Sequence, residues 1–140
     1  MDIGSFELIP PIAGAAGLLI ALLIFMFIRR QPDGTERMRD IAEQIHIGAL
    51  AFLRSEYKVL AIFVVVVFVV LAIFRGLDSA GAFLAGAVSS VLAGYIGMIA
   101  ATKANVRTTE AARSHGQARA LIVSFFGGSV MGLSVASLGL

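Results

Sequence analysis

The sequence contains no cysteine and no tryptophan, and only 14% of its 140 residues are charged. Without cysteine there are no disulfides, thiolate metal sites or cysteine nucleophiles. Without tryptophan, anchoring at a membrane–water boundary falls to Tyr57, Tyr95 and the cations. The charge content is well below the roughly 25% of soluble domains. No Asp, Glu, Lys, Arg or His lies inside the long apolar runs, which argues against an ion pathway or a rotor-ring carboxylate here. No GxxxxGK[ST] phosphate loop occurs. No acidic cluster is suited to holding magnesium against a phosphate substrate. His46 and His115 each lack a partner at metal-ligand spacing. Ser89, Ser90, Ser124, Ser129, Ser134 and Ser137 have no histidine base beside them, and are expected to serve as hydrogen-bond glue between helices.

What the sequence does have is apolar surface: 59% of its residues are hydrophobic, against about 45–50% in soluble domains. A soluble fold this short has too little interior to hide that surface, so lipid is its expected solvent. The spacing predicts an all-α integral membrane segment with spans at about 10–28, 55–74, 80–102 and 120–140. Val64 to Val67 are poor helix formers in water, but in lipid the backbone must satisfy itself and a helix is still expected. The second apolar run, Val59 to Phe74, is short, so its helix is expected to start within Leu50 to Lys58 with Lys58 snorkelling. The first run follows the acidic Asp2 and Glu7 and ends at Arg29-Arg30. That is the pattern of an uncleaved anchor rather than of a signal peptide, which needs a basic start and a small-residue cleavage site.

Charge placement orients the spans. Ten of the eleven cations fall in the stretches 29–58 and 103–119, and one, Arg75, falls in the short turn between them. Four spans put those two stretches on one side, and the positive-inside rule makes it cytoplasmic with the N-terminus outside. The pI near 9.5 is thereby explained without nucleic acid. Neither stretch combines its cations with base-stacking aromatics.

Within the first stretch, Met38, Ile41, Ile45, Ala49 and Phe52 recur at helical steps. An amphipathic cytoplasmic helix is expected at about 35–54, capped by Thr35 or Asp33, packed on protein and running into the second span. The Lys103 to Arg119 stretch reads as a loop. Arg107 and Arg113 are candidates for phosphate binding there, although retention of the loop on the cytoplasmic side accounts for them more simply. Small residues line the third span in two rows, Ala82, Gly86, Ser90, Gly94 and Ala93, Gly97, Ala101. The fourth carries Gly128 and Gly132 as GxxxG, continued by Ala136. Such rows let helices approach closely in lipid. The chain is therefore expected to be one sector of a larger bundle, and its end at Leu140 without a polar flank is expected to mark a fragment of a longer domain.

Three segments resemble one family, the membrane-bound, ion-translocating inorganic pyrophosphatases. RMRDIAEQIHIGALAFLRSEYK, from Arg37 to Lys58, resembles their first cytoplasmic segment. GAFLAGAVSSVLAGYIGMIAATKANVRTTEAAR, from Gly81 to Arg113, resembles their third span and the loop after it, and FFGGSVMGLSVASLGL, from Phe125 to Leu140, their fourth. The resemblance implies a homodimeric pump in a bacterial cell (inner) membrane, several-fold longer than this chain. It implies Mg2+-dependent hydrolysis of pyrophosphate coupled to export of H+ or Na+, with H+ the expected ion, and it leaves K+ dependence open. The family's acidic catalytic motifs lie on later helices. No catalytic, cofactor-binding or metal residue is therefore assigned here. The segment is expected to be an inactive scaffold whose partners are the remaining helices and the lipid bilayer. The other reading is a free-standing four-helix membrane scaffold or assembly protein.

Overall fold

The computed structural model describes residues 8–140. Asp2 and Glu7, used above to argue for an uncleaved anchor, lie outside the described residues. The described chain is four helices: α1 (Ile9–Arg29), α2 (Glu36–Arg75), α3 (Leu77–His115) and α4 (Gln117–Gly139). All four are long and apolar enough to cross a membrane.

Each helix begins for a local reason. Pro10 and Pro11 sit in the first turn of α1, where a missing N–H costs nothing. Thr35 caps α2, its hydroxyl accepting from the Met38 N–H at 3.4 Å, so the cap is Thr35 rather than Asp33. The spans at about 55–74 and 80–102 are parts of much longer helices. At 1.5 Å per residue α2 and α3 are about 60 Å long, twice the hydrocarbon thickness. The expected helix at 35–54 and the second span are one unbroken rod.

The expected loop at 103–119 is also helical, from Lys103 to His115, and this corrects the sequence reading. Its cations signal exit from the hydrocarbon, but nothing in KANVRTTEAARSH breaks a helix. Side chains bond back along it: Thr109 to the Asn105 carbonyl at 3.0 Å and Ser114 to that of Glu110 at 2.7 Å. Between Glu36 and Gly139 only glycine interrupts the helices. Gly76 and Gly116 each form a one-residue connection at φ +88° and +82°, with extended ψ, a conformation essentially reserved for glycine. Gly76→Ala is expected to destabilise the α2–α3 hairpin by about 1–3 kcal/mol, read as a lowered unfolding temperature in detergent. An unchanged midpoint would mean that the turn relaxes freely.

The helices pack in the order α2, α3, α4, α1. α3 lies against α2 along one side and α4 along the other. α1 docks on α4 and touches α3, while α1 and α2, consecutive in sequence, make no packing contact. The core is built from small residues. Ile28 is fully buried against Ala100, Ala104 and Val130, with Ile24, Phe25 and Phe126 around them. Phe27 meets Phe126 edge-on at 5.6 Å.

The packing rows differ in part from those expected. On α3, Ala93 and Gly97 do face inward, with Ala100 and Ala104, whereas Ala82, Gly86, Ser90 and Ala101 are exposed. On α4 the inward row is Val123, Gly127, Val130, Ser134 and Ser137. The GxxxG row of Gly128, Gly132 and Ala136 points away from the other three helices, and a Cβ at either glycine would meet nothing. Over residues 36–54 of α2 the half-buried or buried positions are Met38, Ala42, His46, Ala49, Leu50 and Leu53, while Ile41, Ile45 and Phe52 remain exposed. The seam includes a histidine and two alanines, so hydrophobicity alone marked a stripe rotated from it. The serine expectation also needs correcting. Ser129 and Ser134 donate to carbonyls of their own helix, Phe125 and Val130, at 2.8 and 2.7 Å. A helical serine finds the i−4 carbonyl nearer than any partner helix.

The apolar runs are out of step. Tyr57 is level with Val91, to whose carbonyl it donates at 2.9 Å, and Tyr95 faces Ala21 and Leu22. Ile28 is level with Ala104, nine residues further along α3, or about 13 Å. The last turns of α1 are thus level with the charged half of α2, not its apolar half. Leu22, Leu23 and Met26 are nonetheless exposed there.

Candidate functional site

The polar chemistry of the described residues gathers at the end carrying Arg29, Glu36 and His115, termed here the basic end. The α1–α2 connection folds over α3 at this end. Arg107 donates to the Lys103 carbonyl at 2.8 Å and to the Arg29 carbonyl at 3.4 Å. Arg119 reaches the Gln31 side-chain oxygen at 3.0 Å. Asp33 pairs with Arg39 at 3.6 Å, both exposed, a contact worth at most about 1 kcal/mol.

Glu110 is 7% exposed under this connection, and Arg113 grips it through both carboxylate oxygens at 2.8 and 2.9 Å. The hydrogen bond from Arg113 holds the Glu110 carboxyl below the ordinary glutamate range, against the opposing effect of burial. A depressed folded-state value stabilises the fold above the unfolded value, about 4.3, and the contribution fades as pH falls through the folded value. Acidification below about pH 4.3 is thus expected to lower the unfolding temperature, and Glu110→Gln to flatten that part of the profile. A Glu110→Gln profile as steep as the parent's would assign the acid sensitivity elsewhere.

Two clefts with charged linings open at this end. One of about 190 Å³ lies between α2 and α3, lined by Asp33, Arg39, Glu43, His46, Lys103 and Arg107. The other, about 330 Å³, lies under the connection beside Gln31, Glu110, His115 and Arg119. The two histidines are separately engaged. The His46 Nδ1 is 2.9 Å from the Thr102 hydroxyl, and that of His115 is 2.7 Å from the Ser114 hydroxyl. Arg107 and Arg113, the phosphate candidates, are brought to the same end but occupied differently, one on backbone carbonyls and one on Glu110. Sequence reasoning missed the Glu110–Arg113 pair. Its signal was an i, i+3 spacing that acts only if the stretch is helical.

Among the described residues, no three His, Cys, Asp or Glu side chains come together in a way that could hold a metal ion.

Four apolar helices with basic residues at one end define an integral membrane protein. Residues 15–140 match the family model described as inorganic H+ pyrophosphatase, and the chain belongs to that family. It is 52% identical over 129 residues to a Clostridium tetani protein whose name assigns it, provisionally, to the K(+)-stimulated pyrophosphate-energized sodium pumps; 92% of this chain and 19% of that one are covered. It is 45% identical to the K(+)-stimulated pyrophosphate-energized sodium pump of Thermotoga maritima, covering 96% of this chain and 18% of that one. It is 37% identical to the K(+)-insensitive pyrophosphate-energized proton pump of Pyrobaculum aerophilum, covering 100% and 20%. The chain spans about a fifth of the length of these curated relatives.

Proposed function

We propose that this chain is the N-terminal, four-helix portion of a pyrophosphate-energised ion pump, and that it supplies scaffold helices and no catalytic residue. The observation that carries this reading is the match over residues 15–140 to a family whose members named above are about five times longer. The exposed apolar turns of α1 and the outward GxxxG row of α4 support it, since both present surface that further helices of the same polypeptide would cover. They weigh against a free-standing four-helix scaffold.

In this reading the complete pump hydrolyses pyrophosphate with Mg2+ held by carboxylates outside this segment, and works as a homodimer in a bacterial cell (inner) membrane. The basic end faces the cytoplasm and the first helix starts outside, because ten of the eleven cations lie toward that end. The family's commoner ion, H+, is not the one to test first. The two relatives of higher identity, at 52% and 45%, carry sodium-pump names. The experiment is reconstitution of the full-length polypeptide in sealed vesicles, with pyrophosphate and Mg2+ added outside. Pyrophosphate-driven Na+ or H+ uptake, scored with and without K+, is expected. Hydrolysis without uptake, or neither, would overturn the reading.

A further inference from the structure

A third cleft, of about 480 Å³, lies between α2 and α3 away from the basic end, and the scaffold reading leaves it without a role. It is lined by Leu50, Leu53, Arg54, Tyr57, Lys58 and Tyr95, among others. Leu53 is its buried floor at 8% exposure, and the Tyr57 hydroxyl fastens one wall to α3 at the Val91 carbonyl. Arg54 and Lys58 stand one helical turn apart on the same face. Both are exposed, and neither takes part in the ion pairs or side-chain hydrogen bonds of the described residues.

Their depth is informative. Residues 36–58 of α2 mix charges of both signs, whereas Val59 to Phe74 carry none. Such a junction marks the level of lipid headgroups, where tyrosines also collect, and here Tyr57 and Tyr95 line one cleft. From it two exposed apolar stripes run toward Gly76. Val65 continues the Arg54–Lys58 face, and Leu92, Val88 and Leu84 continue the Tyr95 face.

We propose that this cleft holds one anionic phospholipid of the leaflet on the basic side. Its phosphate lies between the Arg54 guanidinium and the Lys58 ammonium, which offer donors and no acceptor. The tyrosine rings flank the glycerol region, and an acyl chain runs along Val65 and Val88. Basic pockets between membrane helices take anionic headgroups in this way. An apolar helix laid over the cleft would instead bury two cations without partners, which is costly. Glu56 is two residues from each cation and points to another face of α2. The inference rests on the chain being membrane-embedded and not on the pump reading, so it stands or falls separately.

The test is lipid retention by the full-length protein in mild detergent, measured by native mass spectrometry with phosphatidylglycerol or phosphatidylcholine. One phosphatidylglycerol per chain is expected to be retained, with at least roughly tenfold preference over phosphatidylcholine, from about 1 kcal/mol per interfacial cation. Arg54→Ala with Lys58→Ala removes the preference, Arg54→Lys with Lys58→Arg keeps it, and Arg75→Ala does not change it. A photoreactive residue at Ala61 labels lipid in the otherwise unaltered protein, a readout that survives if the double alanine variant does not fold. Equal retention of the two lipids, a preference that survives the double alanine change, displacement by millimolar inorganic phosphate, or labelling of protein at Ala61 would each overturn the proposal.

Discussion

Gly127→Leu is expected to unfold the α3–α4 contact, while Gly128→Leu, one residue along, leaves the segment's own packing unchanged. A Cβ at Gly127 would lie 2.5 Å from the Ala104 Cβ. Ala104 is 4% exposed and belongs to the cluster around Ile28, so neither methyl group has room to yield and the two backbones would have to part. The contrast with Gly97 is useful. The nearest neighbours of a Cβ there belong to Met131, the Cγ at 2.6 Å and the Cβ at 3.1 Å; this exposed side chain can turn its Cγ away, which leaves one tight contact. Overpacking a tight interior costs typically about 1–3 kcal/mol, and a leucine brings three further carbons into the same gap. At Gly128 and Gly132 a side chain meets open space, and the expected change is within about 0.5 kcal/mol. The check is the unfolding midpoint of each variant in detergent. Equal losses at 127 and 128 would mean that α4 is rotated from the orientation described here.

The 140-residue chain by itself is expected to release no phosphate from pyrophosphate, with or without magnesium. Hydrolysis of a phosphoanhydride at a metal centre needs carboxylates that converge on the ion while it polarises the phosphoryl oxygens and activates water. The acidic side chains here are dispersed. Asp33 is paired with Arg39, Glu110 is held on both oxygens by Arg113, and Asp78 lies at the far end of α3 beside Gly76. A phosphate-release assay on the purified segment, set beside the full-length polypeptide, checks this. Mg2+-dependent release by the segment alone would show that its residues assemble a site not seen in this arrangement.

Much of the architecture was legible because hydrophobic runs of span length have few alternatives in lipid. The four crossings, the Thr35 cap and the small-residue contacts at Ala93 and Gly97 can all be read along the chain. Continuity was harder to read. Lys103 marks where α3 leaves the apolar run, but a change of solvent does not end a helix, and only Gly116 supplies a conformation that does. The α2 seam was misread for a related reason. Its contact face is set by Ala42 and His46, which a hydrophobicity pattern passes over in favour of Ile41 and Ile45. The Glu110–Arg113 pair and the Tyr57–Val91 bond needed the same thing, the knowledge that these stretches are helical and in which register they meet.

What the sequence determined alone was where backbone must be helical and which ends carry charge, because apolar length and cation count act residue by residue. The tertiary structure decided which face of each helix is spent on its neighbours. That choice depends on rotation and register between helices, and similar small residues such as Gly127 and Gly128 are told apart only by what stands opposite them.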